Sequence, residues 1–212
     1  MVCGQCRGIE SFFDEREANR KLRAYRKSGP SSTTRMLIEA IKAHRSEGQT
    51  LLDIGGGVGV IQHELLKSGV QKATCVEAST AYIDAGRKEA EGQGHRERIT
   101  YYHGDFVDLA PVLEPANIVT LDRVICCYHD VEQLLGLSSR LATEVIGLVF
   151  PRSNWLLKAG FRAFNFIFWL RRCPFRIFIH PDSMIESIAS SNGLRRSFYR
   201  KTLLWQVVVY AI

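Results

Sequence analysis

The sequence has no window of roughly 18 uninterrupted apolar residues, the length that spans a bilayer. Its nearest approach, Trp155 to Leu170, is interrupted by Lys158, Arg162 and Asn165. A polytopic membrane protein is thereby excluded. There is no internal repeat and no low-complexity stretch. With 24% charged and 46% hydrophobic residues, the chain is neither disordered nor collagenous. The N-terminus, MVCGQCRGIE, lacks the basic-then-apolar run of a secretory leader. Six cysteines in 212 residues are too sparse for a disulfide framework. A reducing, cytoplasmic setting is therefore expected. Cys3-x-x-Cys6 has the spacing of half a zinc site, but no second Cys/His pair of matching spacing exists. Free thiols and no metal are the expectation.

What is present is one domain's worth of core and an uneven charge. Residues 1–45 carry ten Lys/Arg and five Asp/Glu, residues 46–150 eight and fifteen, and residues 151–212 ten and two. An acidic middle is flanked by basic segments, which suit phosphates, acidic lipids, an anionic small molecule or plain solvent.

Glu10 to Lys27 reads as one charged helix, stopped by Ser28-Gly29-Pro30. Ser31 to His44 reads as a second, with Met36, Leu37, Ala40 and Ile41 at helical spacing. From Thr50 the pattern changes to alternation. Strands are expected at 51–54, 73–76, 99–102, 118–121 and 145–150. Helices are expected at 58–68, 80–91 and 131–141. After an insertion over 153–181, a helix at 182–191 and strands at 197–199 and 204–211 follow, the last two as an antiparallel pair at one sheet edge. Alternating strands and helices imply an α/β, doubly wound, mostly parallel sheet. Residues 1–47 then form an N-terminal helical extension, and 48–212 the α/β domain.

The most informative stretch is LLDIGGGVGV, residues 51–60. A buried strand enters a glycine turn that opens a helix, a geometry suited to a nucleotide. The dinucleotide fingerprint G-x-G-x-x-G/A fails, because Val60 stands where a small residue is needed. The spacing that fits is Asp53-x-Gly55-x-Gly57-x-Gly59. Asp53 would repel a pyrophosphate and welcome a cation. Glu77, 24 residues on, ends the second strand, where a carboxylate can hold ribose hydroxyls. Asp105 and Phe106 follow the third strand, where they can meet an exocyclic amine and cover a base.

These residues resemble the class I S-adenosylmethionine-dependent methyltransferases, over about Thr50 to Phe150 and the C-terminal sheet edge. The resemblance implies a seven-stranded, Rossmann-like fold and S-adenosyl-L-methionine as cofactor, with S-adenosyl-L-homocysteine as product. It places Gly55, Gly57 and Gly59 around the methionine part, with Asp53 near its ammonium. Glu77 and its neighbour Ala78 fall at the ribose, Asp105 and Phe106 at the adenine. It also directs the fourth strand end, LDRVICCYHD (121–130), toward the transferred methyl. Asp122, Tyr128 and His129 become the catalytic candidates, with Asp122 also near the cofactor. His129 could remove a proton or simply fill a turn. Cys126 and Cys127 could take a soft metalloid or pack as small apolar residues. Cys127, Arg152, Trp155 and Tyr25 are candidates for acceptor contact, and Arg35 for the closing helices.

The aromatic-basic insertion fits three readings: an acceptor wall, a helix on an anionic membrane surface over 155–172, or a core helix with snorkelling cations. A looser likeness to the magnesium-protoporphyrin methyltransferase branch, carried by LDRVICCY, GLVFPR and the insertion, brings a bulky acid into range as acceptor. A small-molecule acceptor is expected. RNA methylation is the rival, though the fourth strand end lacks the Asn/Asp-Pro-Pro-aromatic pattern of amino-directed nucleic-acid enzymes. A non-catalytic binding module is the third reading. Oligomeric state is not legible.

Overall fold

Strands buried along nearly their whole length build the molecule around one sheet. The computed structural model describes residues 4–44 and 48–212, of which residues 4–7 by backbone alone. The Cys3–Cys6 spacing and the expected domain boundary at 47 fall outside the described residues. The strands are β1 (Thr50–Ile54), β2 (Lys72–Glu77), β3 (Ile99–His103), β4 (Ala116–Asp122), β5 (Ala142–Pro151), β6 (Arg195–Lys201) and β7 (Trp205–Ala211). Their order is β3-β2-β1-β4-β5-β7-β6, and β7 runs antiparallel to both neighbours. The expected doubly wound, mostly parallel, seven-stranded sheet is present. It differs from the dinucleotide-binding order 3-2-1-4-5-6 by the strand inserted between β5 and β6.

The helices are α1 (Gly4–Phe12), α2 (Glu15–Ser28), α3 (Ser32–Lys42), α4 (Val60–Lys67), α5 (Thr80–Gly92), α6 (Phe106–Leu109), α7 (Val131–Leu141), α8 (Trp155–Leu170) and α9 (Asp182–Ser191). On one face of the sheet, Leu51, Val145, Val149, Val207 and Val209 pack against α3 and α4 through Leu37, Ile41, Ile61 and Leu65. On the other, Leu52, Ile146, Leu148 and Val208 pack against α7 and α9 through Leu134, Leu135 and Ile185. Alternate residues of each strand thus face opposite layers, as the pleat requires. Gly147 sets the depth of α3, since a Cβ there would lie 2.7 Å from Leu37 Cδ1 and 3.0 Å from Ile41 Cδ1. α3 therefore shares the core of the sheet, unlike α2, which packs Ala18, Leu22 and Tyr25 on Val58, Tyr82 and Ala85.

The single helix expected over Glu10–Lys27 is two helices. Asp14 leaves helical geometry (φ −76°, ψ 179°), and its carboxylate accepts from the Glu17 amide at 2.9 Å. The capping bond competes with helix continuation and turns the chain between α1 and α2. The first sheet helix also starts later than expected, at Val60, because Gly59 (φ 85°) still belongs to the turn.

Candidate active site

At the carboxyl ends of β1, β2 and β4 lies a cavity of about 640 Å³, closed over by α1, α2 and α8. Its floor is the Gly55–Gly57 turn. Gly55 (φ 64°) donates its amide to Val76 O at 2.7 Å. A Cβ on Gly56 would lie 2.8 Å from both Asp53 Oδ2 and Cys75 Sγ. Gly57 (φ 57°) donates its amide to Glu77 Oε2 at 2.9 Å, and Ser79 donates to Glu77 Oε1 at 3.0 Å. Glu77 thus pins the turn of β1 to the end of β2, and burial raises its carboxyl above the usual range.

Asp53 is buried beneath the turn. Its Oδ1 accepts from Thr120 Oγ1 at 2.6 Å and its Oδ2 from Gln62 Nε2 at 3.0 Å. Burial pushes its carboxyl up to about 7 against the pull of these two donors. Asp105 caps α6 by accepting from the Val107 amide at 3.0 Å, and also receives the Tyr128 hydroxyl at 3.0 and 3.1 Å.

The end of β4 carries the least relaxed backbone of the site. Arg123 has φ 64°, costly for a residue with a Cβ. Its guanidinium donates to Ser31 Oγ at 2.9 Å and Thr33 Oγ1 at 2.7 Å and lies over the Trp205 ring at 5.1 Å. Asp122 Oδ2 accepts from Thr34 Oγ1 at 2.5 Å. Arg123 Nε and Asp122 Oδ1 stand 3.8 Å apart, and both are buried with no hydrogen-bond partner among the described residues. Lys21 borders the same space, and burial, then the nearby Arg123 charge, lowers its pKa.

Asp53, Gly55, Gly57, Glu77, Ala78, Asp105, Phe106, Asp122, Tyr128, Cys127 and Tyr25 all border this cavity. Gly59 lies one step outside it, as the N-cap of α4. His129 opens onto a separate depression of about 390 Å³ shared with His180. Its ring stacks on Tyr128 at 5.4 Å. Arg152 instead secures the β6–β7 turn, its amide donating to Leu204 O at 3.0 Å and its guanidinium to Thr202 O at 3.4 Å. Arg35 holds the Ser28–Pro30 loop in the same way. Trp155, the first residue of α8, points into solvent. Tyr25 donates its hydroxyl to Glu64 Oε1 at 2.7 Å. The Cys126 and Cys127 sulfurs stand 3.9 Å apart, and their contact and burial hold Cys127 as a thiol. No group of three or more metal-binding side chains occurs among the described residues.

Sequence reasoning missed the aromatic cover. Phe12 stacks on Phe175 at 4.6 Å, and Phe13 meets Phe175 edge-on and Tyr82 at a tilt. The adjacent Phe12-Phe13 pair in an otherwise charged stretch was the available signal. Thr34, Lys21 and Gln62 had none.

Residues 51–143 match the family model described as a methyltransferase domain. The matched segment runs from β1 to the start of β5. Among curated proteins it is similar to the ribosomal protein L11 methyltransferase of Pectobacterium carotovorum, 29% identical over 128 residues, 57% of this chain and 43% of that one. The chain thus spans less than half the length of these relatives. Among solved structures it is similar to the magnesium protoporphyrin IX methyltransferase of Synechocystis with bound S-adenosylhomocysteine, at TM-score 0.72 and 17% identity, over 98% of this chain and 99% of that one. It is also similar to the geranyl diphosphate C-methyltransferase of Streptomyces coelicolor, at TM-score 0.64 and 13% identity, over 84% and 76%. At these identities the structural likenesses establish the methyltransferase fold. Among the described residues no helix is long and apolar enough to cross a membrane.

Proposed function

We propose that this chain transfers a methyl group from S-adenosylmethionine to a small molecule with an apolar body and an acidic group. The observation that carries the cofactor assignment is Glu77. A buried carboxylate ends β2 beside a glycine turn whose amide it already orders, on a cavity deep enough for a nucleoside. Its geometry suits the two hydroxyls of a ribose. Asp105 and Phe106 would take the adenine, and Asp53 and the Gly55–Gly57 turn the methionine part. Asp53 and Glu77 beside the glycine turn are acidic, which suits a cation there and would repel a pyrophosphate. Gly59 would act indirectly, by starting α4.

When bound, S-adenosylmethionine supplies a methyl group on a positively charged sulfur. The protein's task is then to align the acceptor and exclude water. Phe12, Phe13, Phe161 and Phe175 give the cavity its apolar wall, and α1 and α2 act as its cover. An acidic group between Lys21 and Arg123, which both border the cavity, would meet two cations. A carboxylate acceptor is already deprotonated, so no general base is needed. This agrees with the position of His129 outside the cavity and with the Tyr128 hydroxyl being held by Asp105. Tyr128 then positions the adenine-side carboxylate.

The test is transfer of tritiated methyl from S-adenosylmethionine to a panel of aromatic and isoprenoid carboxylic acids. Label that mild base releases as methanol marks a methyl ester and supports the proposal. Label confined to RNA, protein or amines would overturn the acceptor assignment.

A further inference from the structure

α8 contacts the molecule through one narrow row, Leu157, Phe161, Asn165 and Phe168. Phe161 borders the cavity. Phe168 packs on Phe12 and Phe175. Asn165 donates to Ile177 O at 2.7 Å and accepts from the Ile177 amide at 2.9 Å. The opposite face consists of Trp155, Leu156, Ala159, Ala163, Phe166, Ile167 and Leu170, all exposed. Trp155 is 75% exposed, Trp169 62%, Leu170 60% and Phe166 58%. A helix on a water-facing surface carries polar residues there, and a contiguous apolar surface of this kind marks a docking site.

The charge around it selects the occupant. Lys158 and Arg162 line one flank, and Arg171 and Arg172 follow the C-terminus. Residues 145–181 contain six Lys/Arg and no Asp or Glu. A second copy seated face to face would bring these cations against their own equivalents, with no acid in the segment to offset them. An anionic lipid surface satisfies both features: acyl chains take the apolar face, and headgroups take the cations. Trp155 and Trp169, near the two ends, suit the headgroup boundary. Sixteen residues make a helix of about 24 Å, suited to lying in the interface and short of the roughly 20 residues that span a bilayer.

We propose that the outward face of α8 docks this chain on an anionic membrane surface, with the helix lying in the interface plane. Because Phe161 borders the cavity from the same helix, docking sets the aromatic wall of the site beside the lipid. On the methyl-transfer reading, an acceptor dissolved in the membrane would have a short path to the site. The lipid contact itself does not depend on that reading.

The test is co-sedimentation of the full chain with phosphatidylcholine vesicles, with and without a quarter of phosphatidylglycerol, at low and high salt. Anionic vesicles should pellet the chain in a salt-sensitive way and shift its tryptophan emission to the blue. Phe166→Glu/Leu170→Glu should cut the partition coefficient by at least about tenfold. Both side chains are exposed, so the melting temperature and S-adenosylhomocysteine affinity should stay at wild-type values. Lack of binding to anionic vesicles would overturn the proposal, as would binding that survives the double substitution. It would equally be overturned by a dimer that the double substitution dissolves in a chain that ignores vesicles, or by saturable capture of a purified acidic protein in their place.

Discussion

Replacing Glu77 by glutamine changes one atom and separates two roles. In the folded chain each carboxylate oxygen takes one backbone amide, from Gly57 at 2.9 Å and from Ser79 at 3.0 Å. An amide can accept only one of them, so one charge-assisted bond is lost, a cost of about 1.5–3 kcal/mol. Against this, burial has raised the Glu77 carboxyl, so the neutral side chain escapes part of that desolvation. The two effects oppose each other, and the ligand-free melting temperature should stay within a few degrees of wild type. Ligand binding has no such offset. Ribose hydroxyls that donate to a carboxylate would lose about 1.5–3 kcal/mol, a roughly 10- to 150-fold rise in Kd. Calorimetric titration of Glu77→Gln with S-adenosylhomocysteine, paired with a thermal melt, measures both. An affinity within about twofold of wild type in a variant that melts normally would refute the ribose assignment.

Other perturbations isolate other parts. Arg123→Met should raise the KM of an acidic acceptor at least about tenfold while leaving S-adenosylhomocysteine affinity unchanged; a loss in the second and not the first would place Arg123 at the cofactor. Gly8→Ala would set a Cβ 2.7 Å from the Phe175 amide nitrogen. It should lift α1 off the 174–177 segment and weaken S-adenosylhomocysteine binding with little change in the melt. Gly147→Ala should cost roughly 1–3 kcal/mol by pushing α3 off the sheet, read as a lower denaturation midpoint at constant slope. Asp53 ionises near 4 when unfolded and at about 7 when folded. Its contribution to stability is therefore complete below about pH 4 and is lost as pH rises through about 7. The melting temperature of Asp53→Asn relative to wild type should rise across that window and level off above it; a flat difference would contradict a raised carboxyl.

The strand ends were legible because a parallel sheet buries both faces, so its strands read as short apolar runs and the residue after each run falls at one edge. Glu77 and Asp105 were found that way, Asp53 by its spacing to the glycines and Asp122 through the family resemblance, and the cavity touches all four. The antiparallel placement of the last two strands was legible as well. The cover was not. Asp14 looked like one more acid in a charged helix, although its spacing to Glu17 carries a capping signal that splits α1 from α2. The contact of Phe12 with Phe175 spans most of the chain, and no local pattern encodes it. Arg152 and Trp155 follow the correct strand end, but the β6–β7 turn takes the first and α8 carries the second outward. Proximity in sequence to a site thus placed the strand-end residues and misjudged the loop residues, whose direction depends on elements that arrive later in the chain.

The most direct measurement is a calorimetric titration of the wild-type chain with S-adenosylhomocysteine, with NADH as the control. A Kd in the micromolar range at one site per chain, with no heat from NADH, is the result predicted from Glu77, Asp105 and the glycine turn. Binding of NADH, or of neither ligand, would contradict an S-adenosylmethionine site at the ends of β1 to β4.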